Sequence, residues 1–451
     1  MVKSNIAVKL LRRIFMIKTS YHNVTVRHIS VRLGWMICSL AALFYCYEFF
    51  LRVAPSVMMP ALMSAYHAHA AEIGTLSAFY YFAYTPMQLV VGVLMDRYGP
   101  RRLLTLAILI CALGSYLFVV SDHIVVAEIG RFLVGFGSAF AFVGVLKLAS
   151  VWLPPERFAL ASGLATMLGM LGAICGDVLL TELVDGVGWR HSMYLSAGIG
   201  IFLAIAVWLV VRDSIPGKTR QDAHQFRDIK HALSAFVRVV KDARVWISGV
   251  IGGLVFLPTT AFAALWGVHY MKEVYNFGSE QSGIAISMIF LGWAIGGPLA
   301  GWLSDKIKRR RLPLTIGSFV AAILIALVVY LPGFPPLLVY PVLFVFGLFS
   351  SVQVIVFALS CDYTVSKASG TAVAFTNMLV MFGGMVFQPF IGYMLDWAHG
   401  PACATCGEVV YNAHDYRVAL LVLPVGLILS MLLTFFVKET HCKPLVYKAG
   451  R

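Results

Sequence analysis

Charge is what this chain has least of. Only 12% of its 451 residues are Asp, Glu, Lys or Arg, and the acidic residues number 21. A soluble globular protein carries roughly 25% charged residues. Half that density leaves too little to coat a water-facing surface, which argues against a soluble enzyme, a disordered chain and a nucleic-acid-binding domain. Cysteine is also sparse, at eight residues. Cys38, Cys46, Cys111, Cys175 and Cys361 fall inside apolar runs and read as small core residues, not as a disulfide framework. The phosphate-binding pattern Gly-x4-Gly-Lys-Ser/Thr is missing, and so are Gly-x-Ser-x-Gly and His-Glu-x-x-His. ATP-driven work and enzymatic catalysis therefore find no residues here, and no cofactor is implied.

What the chain does have is apolar length, with 60% hydrophobic residues. A membrane-crossing helix needs about 20 mostly apolar residues. Twelve such runs are present, at 34–62, 73–95, 102–120, 124–147, 158–180, 190–211, 245–271, 281–303, 312–331, 337–361, 370–394 and 417–437. They are numbered here as spans 1 to 12. The reading is an all-α membrane protein, in which an even number of crossings puts both termini on one side.

Basic residues choose that side. With the N-terminus cytoplasmic, the tail 1–32 and the inner loops carry nearly all the Lys and Arg, while the outer side keeps only Arg190, Lys272 and Arg417. That asymmetry follows the positive-inside rule. It accounts for the net charge of +14 by topology and removes the need for nucleic acid. The basic tail is too long for a cleavable signal peptide. The outer loops carry no glycosylation sequon, which favours a bacterial inner membrane.

The loop after span 2 reads Gly92-x3-Asp96-Arg97-x3-Arg101-Arg102. The loop after span 8 reads Gly301-x3-Asp305-Lys306-x3-Arg310-Arg311, at a constant offset of 209 residues. An internal repeat of this kind divides the chain into two six-span halves, 33–211 and 245–437. A linker, 212–244, joins them, and a tail, 438–451, follows. Phe226, Ile229, Leu233, Phe236/Val237 and Val240 in the linker recur at helical spacing among basic residues. They predict an amphipathic helix on anionic membrane lipid.

The paired loop motif resembles the signature of the major facilitator superfamily, and the likeness covers the whole chain. Arg131-x3-Gly135-x-Gly137 in span 4 and Gly188-Trp189-Arg190 opening span 6 are similar to other motifs of that family. The resemblance implies two six-helix halves related by a pseudo-twofold axis, rocking about a central site lined by spans 1, 4, 7 and 10. It also implies a latch. Asp96 is expected to meet the start of span 11 near Gly370 and Thr371, and Asp305 the start of span 5 near Phe158. A helix N-terminus carries partial positive charge that suits a carboxylate. Gly92, Arg97, Arg101, Arg102, Gly301, Lys306 and Arg310 complete the latch motifs.

Ionisable residues inside a span are costly and mark function by default. Glu48 and Arg52 lie four apart on one face of span 1. Glu128 and Arg131 lie three apart in span 4. Two cavity arginines can clamp a carboxylate or phosphate. Glu48 is the candidate for a coupling proton, and Glu128 is expected to partner Arg131. Lys147 is expected to reach the cytoplasmic surface. The second half offers Trp266, His269, Gln353, Asn377 and Gln388, and span 2 offers Gln88. Tyr45, Tyr80, Tyr81 and Tyr84 fit either a cavity lining or a packed aromatic face. Asp362 fits a cap on span 10. His399, Cys403, Cys406 and His414 sit in one outer loop, where the spacing suits a disulfide, free thiols or zinc.

The expected function is a monomeric secondary carrier for a small anionic or zwitterionic solute such as an organic acid, sugar acid, amino acid or dipeptide, moved by proton symport. The stretch Tyr47–Pro55 is similar to organic-anion and sugar-acid carriers, and the Arg131 region to lysosomal dipeptide carriers. The alternative is an exporter of the same fold for drugs or siderophores. Span 5 lacks the Gly-Pro pair of the family's drug antiporters, which counts against it. A membrane receptor without transport is the third reading.

Overall fold

The computed structural model describes residues 3–154, 157–213, 236–331, 333–364, 368–400 and 410–443. Among them there are helices and turns but no strand. Eleven helices are long and apolar enough to cross a membrane: Val31–Tyr66, Pro100–Val120, Ile124–Trp152, Leu160–Val187, Trp189–Val210, Ala243–Tyr275, Ser279–Ile307, Arg311–Tyr330, Pro336–Tyr363, Ser369–His399 and Ala413–Phe436. The twelfth crossing is a pair, Ala70–Met87 and Val91–Tyr98, bent by 62°. In chain order these are spans 1 to 12, the bent pair being span 2. The helix of span 1 extends back to Lys3, so the basic tail continues it without a break. Most of the predicted linker helix lies outside the described residues, as do Cys403 and Cys406. Phe236, at the linker's end, stacks edge-on against Phe375 of span 11.

Side chains facing outward are large and apolar: Phe202, Trp397, Phe436 and Leu337 are each more than 60% exposed. In water such a surface would be an association hazard, whereas in lipid it is the expected face. Inside, the helices approach closely where a residue lacks a side chain. Gly135 of span 4 lies against the backbone of Tyr80, and a Cβ there would overlap the Tyr80 carbonyl. Small residues at a helix crossing give van der Waals contact, which substitutes for the hydrophobic drive that lipid does not supply. This contact fixes the height of Tyr80, and so the geometry described below.

The ends of the molecule differ. The end at which span 1 begins and span 12 finishes is called here the tail end, and the far end lies opposite. Spans 2 and 11 run together from the far end inward. Asp396 of span 11 accepts the backbone N–H of Ala70 and of Ala71, at 3.2 and 2.9 Å. Tyr411 also hydrogen-bonds Asp396, at 2.5 Å. Gly74 packs on the backbone of Gln388 and Pro389, and Gly384 on the ring of Tyr81. The last bond along this seam is Asn377 Nδ2 to Gln88 Oε1, at 3.0 Å. There span 2 bends. Pro86 contributes no backbone N–H to the helix, and the chain swings away over Gln88–Val90. Beyond the bend, Gly92 and Gly370 have no neighbour within 4 Å of where a Cβ would stand, and Gly163 and Gly301 match them on the other seam. The halves meet at the far end, and at the tail end these four glycines face open space.

Candidate functional site

The charged centre belongs to the first half. Glu48 and Arg52, one turn apart on span 1, form an ion pair at 2.5 Å. Tyr80 donates its hydroxyl to the same Glu48 Oε1, and Arg52 Nε also lies 3.2 Å from the Tyr80 oxygen. The Arg52 guanidinium sits over Phe49 at 4.2 Å and over Tyr84 at 5.1 Å. A guanidinium bound at its edge by a carboxylate and at its face by rings is held in one position. Glu48 is fully buried and Arg52 is 4% exposed. Among the described residues, Glu48 Oε2 has no hydrogen-bond partner.

Arg131 reaches across from span 4 to the backbone of span 1. Its guanidinium donates to the Leu51 carbonyl at 2.8 Å and to the Arg52 carbonyl at 3.3 Å. It also lies 5.3 Å from the Tyr80 ring centre. This corrects two expectations. Arg131 is not a free clamp in this conformation but a tie between spans 1 and 4, because those two carbonyls lie within reach of its fork. Glu128 is not its partner. Glu128 sits one turn nearer the far end, half-exposed, with Glu72 as its charged neighbour. Neither arginine lines an open chamber, since Arg131 is only 2% exposed. Tyr80, Tyr81 and Tyr84 are buried as well, so the packed reading of those rings holds, with Tyr80 adding a polar role.

The second half supplies neutral groups. Gln88 and Asn377 come from opposite halves and bond to each other directly. Gln353 is buried on a 3-10 turn that interrupts span 10, and its amide nitrogen has no partner among the described residues. The indole of Trp293 is in the same position. Trp266 does not join them. Its N–H donates to the Gln388 carbonyl at 3.2 Å, while the Gln388 amide donates to the Thr260 carbonyl at 2.7 Å. Both bonds tie span 7 to span 11 around a π-helical stretch, Pro258–Trp266, whose wider turns free backbone carbonyls for such use. His269 is buried against the ring of Tyr416.

At the tail end, the two loop motifs hold partners within their own halves. Asp96 pairs with Lys147 at 2.6 Å, not with the start of span 11, because the bend in span 2 carries it away from Gly370. Lys147 is thus an ion-pair partner and not merely a surface group. Asp305 pairs with Arg310 at 2.7 Å, not with the start of span 5. Arg310 also reaches Asp362 at 3.3 Å, and Thr440 donates to Asp362 at 2.7 Å, so Asp362 serves the loop and does not cap its own helix. Lys306 lies over the Trp302 ring and Arg97 over that of Tyr98. Arg102 is exposed. A symmetry invisible in the motif alone appears in the backbone. Asp213 accepts the Arg101 N–H at 2.8 Å, and Glu439 accepts the Arg310 and Arg311 N–H at 2.7 and 3.0 Å. In each half, a carboxylate following the last span caps the third span. His399, the last residue of the span 11 helix, bonds Asp415 in the first turn of span 12, at 2.9 Å.

A profile described as Major Facilitator Superfamily matches residues 38–389. The chain belongs to that family. It is a multi-pass membrane protein and a transporter. A protein of Chlamydia pneumoniae named as a probable hexose phosphate transport protein is 24% identical over 386 residues, covering 78% of this chain and 82% of that one. The probable galactarate/D-glucarate transporter GudP of Escherichia coli is 23% identical over 381 residues, covering 77% and 83%. A bacterial homologue of the human lysosomal transporter Spinster, crystallised inward-facing and unoccupied, superposes with a TM-score of 0.73 over 91% of this chain and 97% of that one. At 16% identity it shares the fold.

Proposed function

We propose that this transporter is a secondary carrier for a small organic or phosphorylated anion, working by alternating access with proton symport inward across a bacterial inner membrane, both termini cytoplasmic. The observation that carries the anion is a charge count. The buried cluster holds Arg52, Arg131 and Glu48, and no carboxylate pairs with Arg131 among the described residues. One positive charge is therefore left over inside the membrane, where an uncompensated ion is expensive. A solute bearing carboxylate or phosphate is the counter-ion this site lacks. The unpartnered amide of Gln353 and indole of Trp293 are donors of the kind that orient such a solute. The names of the two relatives above point to the same chemistry, since hexose phosphates and aldaric acids are anions.

The two halves supply a way to move it. Closed at the far end and open at the tail end, the chain is in one of the two states that alternation requires. The basic bias of the tail and of the loops after even-numbered spans supports the tail side as cytoplasmic, which makes this the inward-open state. Asp96 and Asp305 act as latches in the opposite state by changing partners. Glu48 carries the coupling proton in this reading.

The test is a thermal-unfolding screen of the purified chain against phosphorylated sugars, aldaric acids, amino acids and neutral sugars, followed by uptake into proteoliposomes. A ligand present at about 100 times its Kd stabilises the folded state by about 2.7 kcal/mol. Stabilisation by anions alone, with uptake driven by an inward proton gradient, is the expected result. Stabilisation by neutral sugars alone would overturn the anion reading, and uptake indifferent to the proton gradient would overturn symport.

A further inference from the structure

Asp177 is a buried acid with no function assigned to it above. It ends the first stretch of span 5, with a one-residue irregularity at Val178 before the helix resumes at Leu179. The side chain is fully buried. Its Oδ1 lies 3.3 Å from the hydroxyl of Ser56 on span 1, and among the described residues its Oδ2 has no partner at all.

The groups around it are uncharged. Span 1 contributes Ser56, and the resumed helix of span 5 contributes Thr181, whose hydroxyl donates to the Asp177 carbonyl at 2.6 Å. Span 8 contributes Gly283, which lies directly on the Asp177 backbone. Among the described residues, no ion pair or hydrogen bond joins a cation or a second acid to the carboxyl, whose one side-chain partner is Ser56. Glu182, Asp185 and Glu280, the nearest acids along the two helices, are exposed.

The Ser56 hydroxyl lies 2.7 Å from the Val53 carbonyl and 3.3 Å from Asp177 Oδ1, so its single hydrogen can serve only one of the two at a time. An ionised carboxylate at this place would have at most that shared donor on Oδ1 and, among the described residues, none on Oδ2, in the membrane interior. The neutral acid is the form that such surroundings suit.

We infer that Asp177 is a proton-binding site, and that the far end of the carrier closes only when a proton is bound there. The seam between spans 5 and 8 is built on the Asp177–Gly283 contact and belongs to the closed far end. Parting that seam admits water to Asp177 and lets the carboxyl lose its proton to bulk. Closing it again requires one proton to be taken up from the far side, giving the neutral acid beside Ser56. Proton binding and far-end closure are thus one event. This rests on the alternating-access reading given above and names a second protonatable residue for it, besides Glu48.

The experiment uses the full chain in lipid bilayers, with two readouts that need no solute. Infrared difference spectroscopy of Asp177→Asn against the parent at neutral pH should show the loss of one neutral-carboxyl carbonyl band. Ser56→Ala should shift that band. An unchanged band in Asp177→Asn would overturn the proposal. The second readout is the distance between spin labels at the exposed Glu182 and Glu280, introduced on keto amino acids so that native cysteines stay untouched. In the parent, raising pH should move the population toward the longer, far-end-open distance. In Asp177→Asn, a neutral isostere, that pH response should vanish. A response retained in the variant would overturn the gating. Should the carrier reading itself fail, the parent would take up no anion, and both readouts would still report on Asp177.

Discussion

The Asp396 carboxylate, on the second half, accepts the backbone N–H of Ala71, on the first, at 2.9 Å. Together with the bond to Ala70, it seats an acid on the N-terminus of span 2. The four free N–H groups of a helix start and the dipole behind them suit a carboxylate, by about 0.3–1 kcal/mol at an exposed site and more when partly buried. This is the same chemistry expected of Asp96 on span 11, transferred to the opposite end of the same helix pair. Under the proposed latch, spans 2 and 11 are joined at either end by an acid of one helix on the start of the other. Asp396→Asn should weaken the far-end joint and Asp396→Ala should weaken it further. Spin labels at the exposed Glu72 and Trp397 should report a longer mean distance in that order. Identical distributions in both variants and the parent would refute the joint.

Glu48 and Arg52 are expected to behave as a unit. Removing one member of a buried ion pair strands the other and costs about 3–5 kcal/mol, while replacing both by apolar groups of similar size is far milder. Glu48→Gln and Arg52→Met should each lower the unfolding temperature in detergent. The double variant should lose much less than the sum of the two. Additive losses would mean that the pair seen at 2.5 Å contributes nothing as a pair.

Asp96 and Lys147 should move the conformational equilibrium in opposite directions. In the tail-end-open state Lys147 occupies Asp96 at 2.6 Å. Lys147→Ala removes the competitor and frees Asp96 for the start of span 11, so tail-end closure should become more populated. Asp96→Asn weakens both partnerships, but it removes the acid of the proposed tail-end latch, so the open state should gain. Reactivity of a single cysteine introduced at Gly370, which has open space around it here, should fall in the first variant and rise in the second. Shifts of the same sign would exclude a shared partner.

The twelve crossings were legible because each is a long apolar run, and lipid leaves the backbone no alternative to a helix. The Glu48–Arg52 pair was legible because i, i+4 spacing fixes a shared face whatever the tertiary fold. The role of Arg131 was not. Whether a guanidinium faces a cavity or a carbonyl depends on helix rotation and crossing distance, and those are set by contacts such as Gly135 on Tyr80. Asp96 on Lys147 was missed for another reason. The loop motif encodes the carboxylate, but Lys147 lies on another span and outside the motif, so its approach is visible only in the fold. Tyr80 and Asp396 drew no special notice because a tyrosine among tyrosines and an acid at a helix end are unremarkable until their partners are known. The caps on spans 3 and 9 were hidden by loop length, since Asp213 and Glu439 do not share the offset of 209 residues.

Glu439 gives the fold an acid-sensitive joint. Burial on its own would raise its carboxyl, but the backbone N–H groups of Arg310, Arg311, His441 and Thr440 outweigh it and hold the carboxyl below its ordinary value. A carboxyl lowered in the folded state contributes stability that is fully present above its unfolded pKa, about 4.3 for glutamate. That contribution is lost as pH falls through the folded value. At neutral pH the cap is worth about 1 kcal/mol by analogy with helix caps generally, trimmed by solvent because the group is partly exposed. Glu439→Gln should therefore lower the unfolding temperature near pH 7, with the gap to the parent narrowing below about pH 4 as the parent protonates. Asp213, capping span 3 through Arg101 at 2.8 Å, provides the comparison within the same molecule. Asp213→Asn should likewise lower the unfolding temperature near pH 7. The double variant should lose the two contributions additively, because the caps stand on separate halves. A Glu439→Gln gap that is constant across the acid range would mean that the carboxylate charge is not what holds span 9.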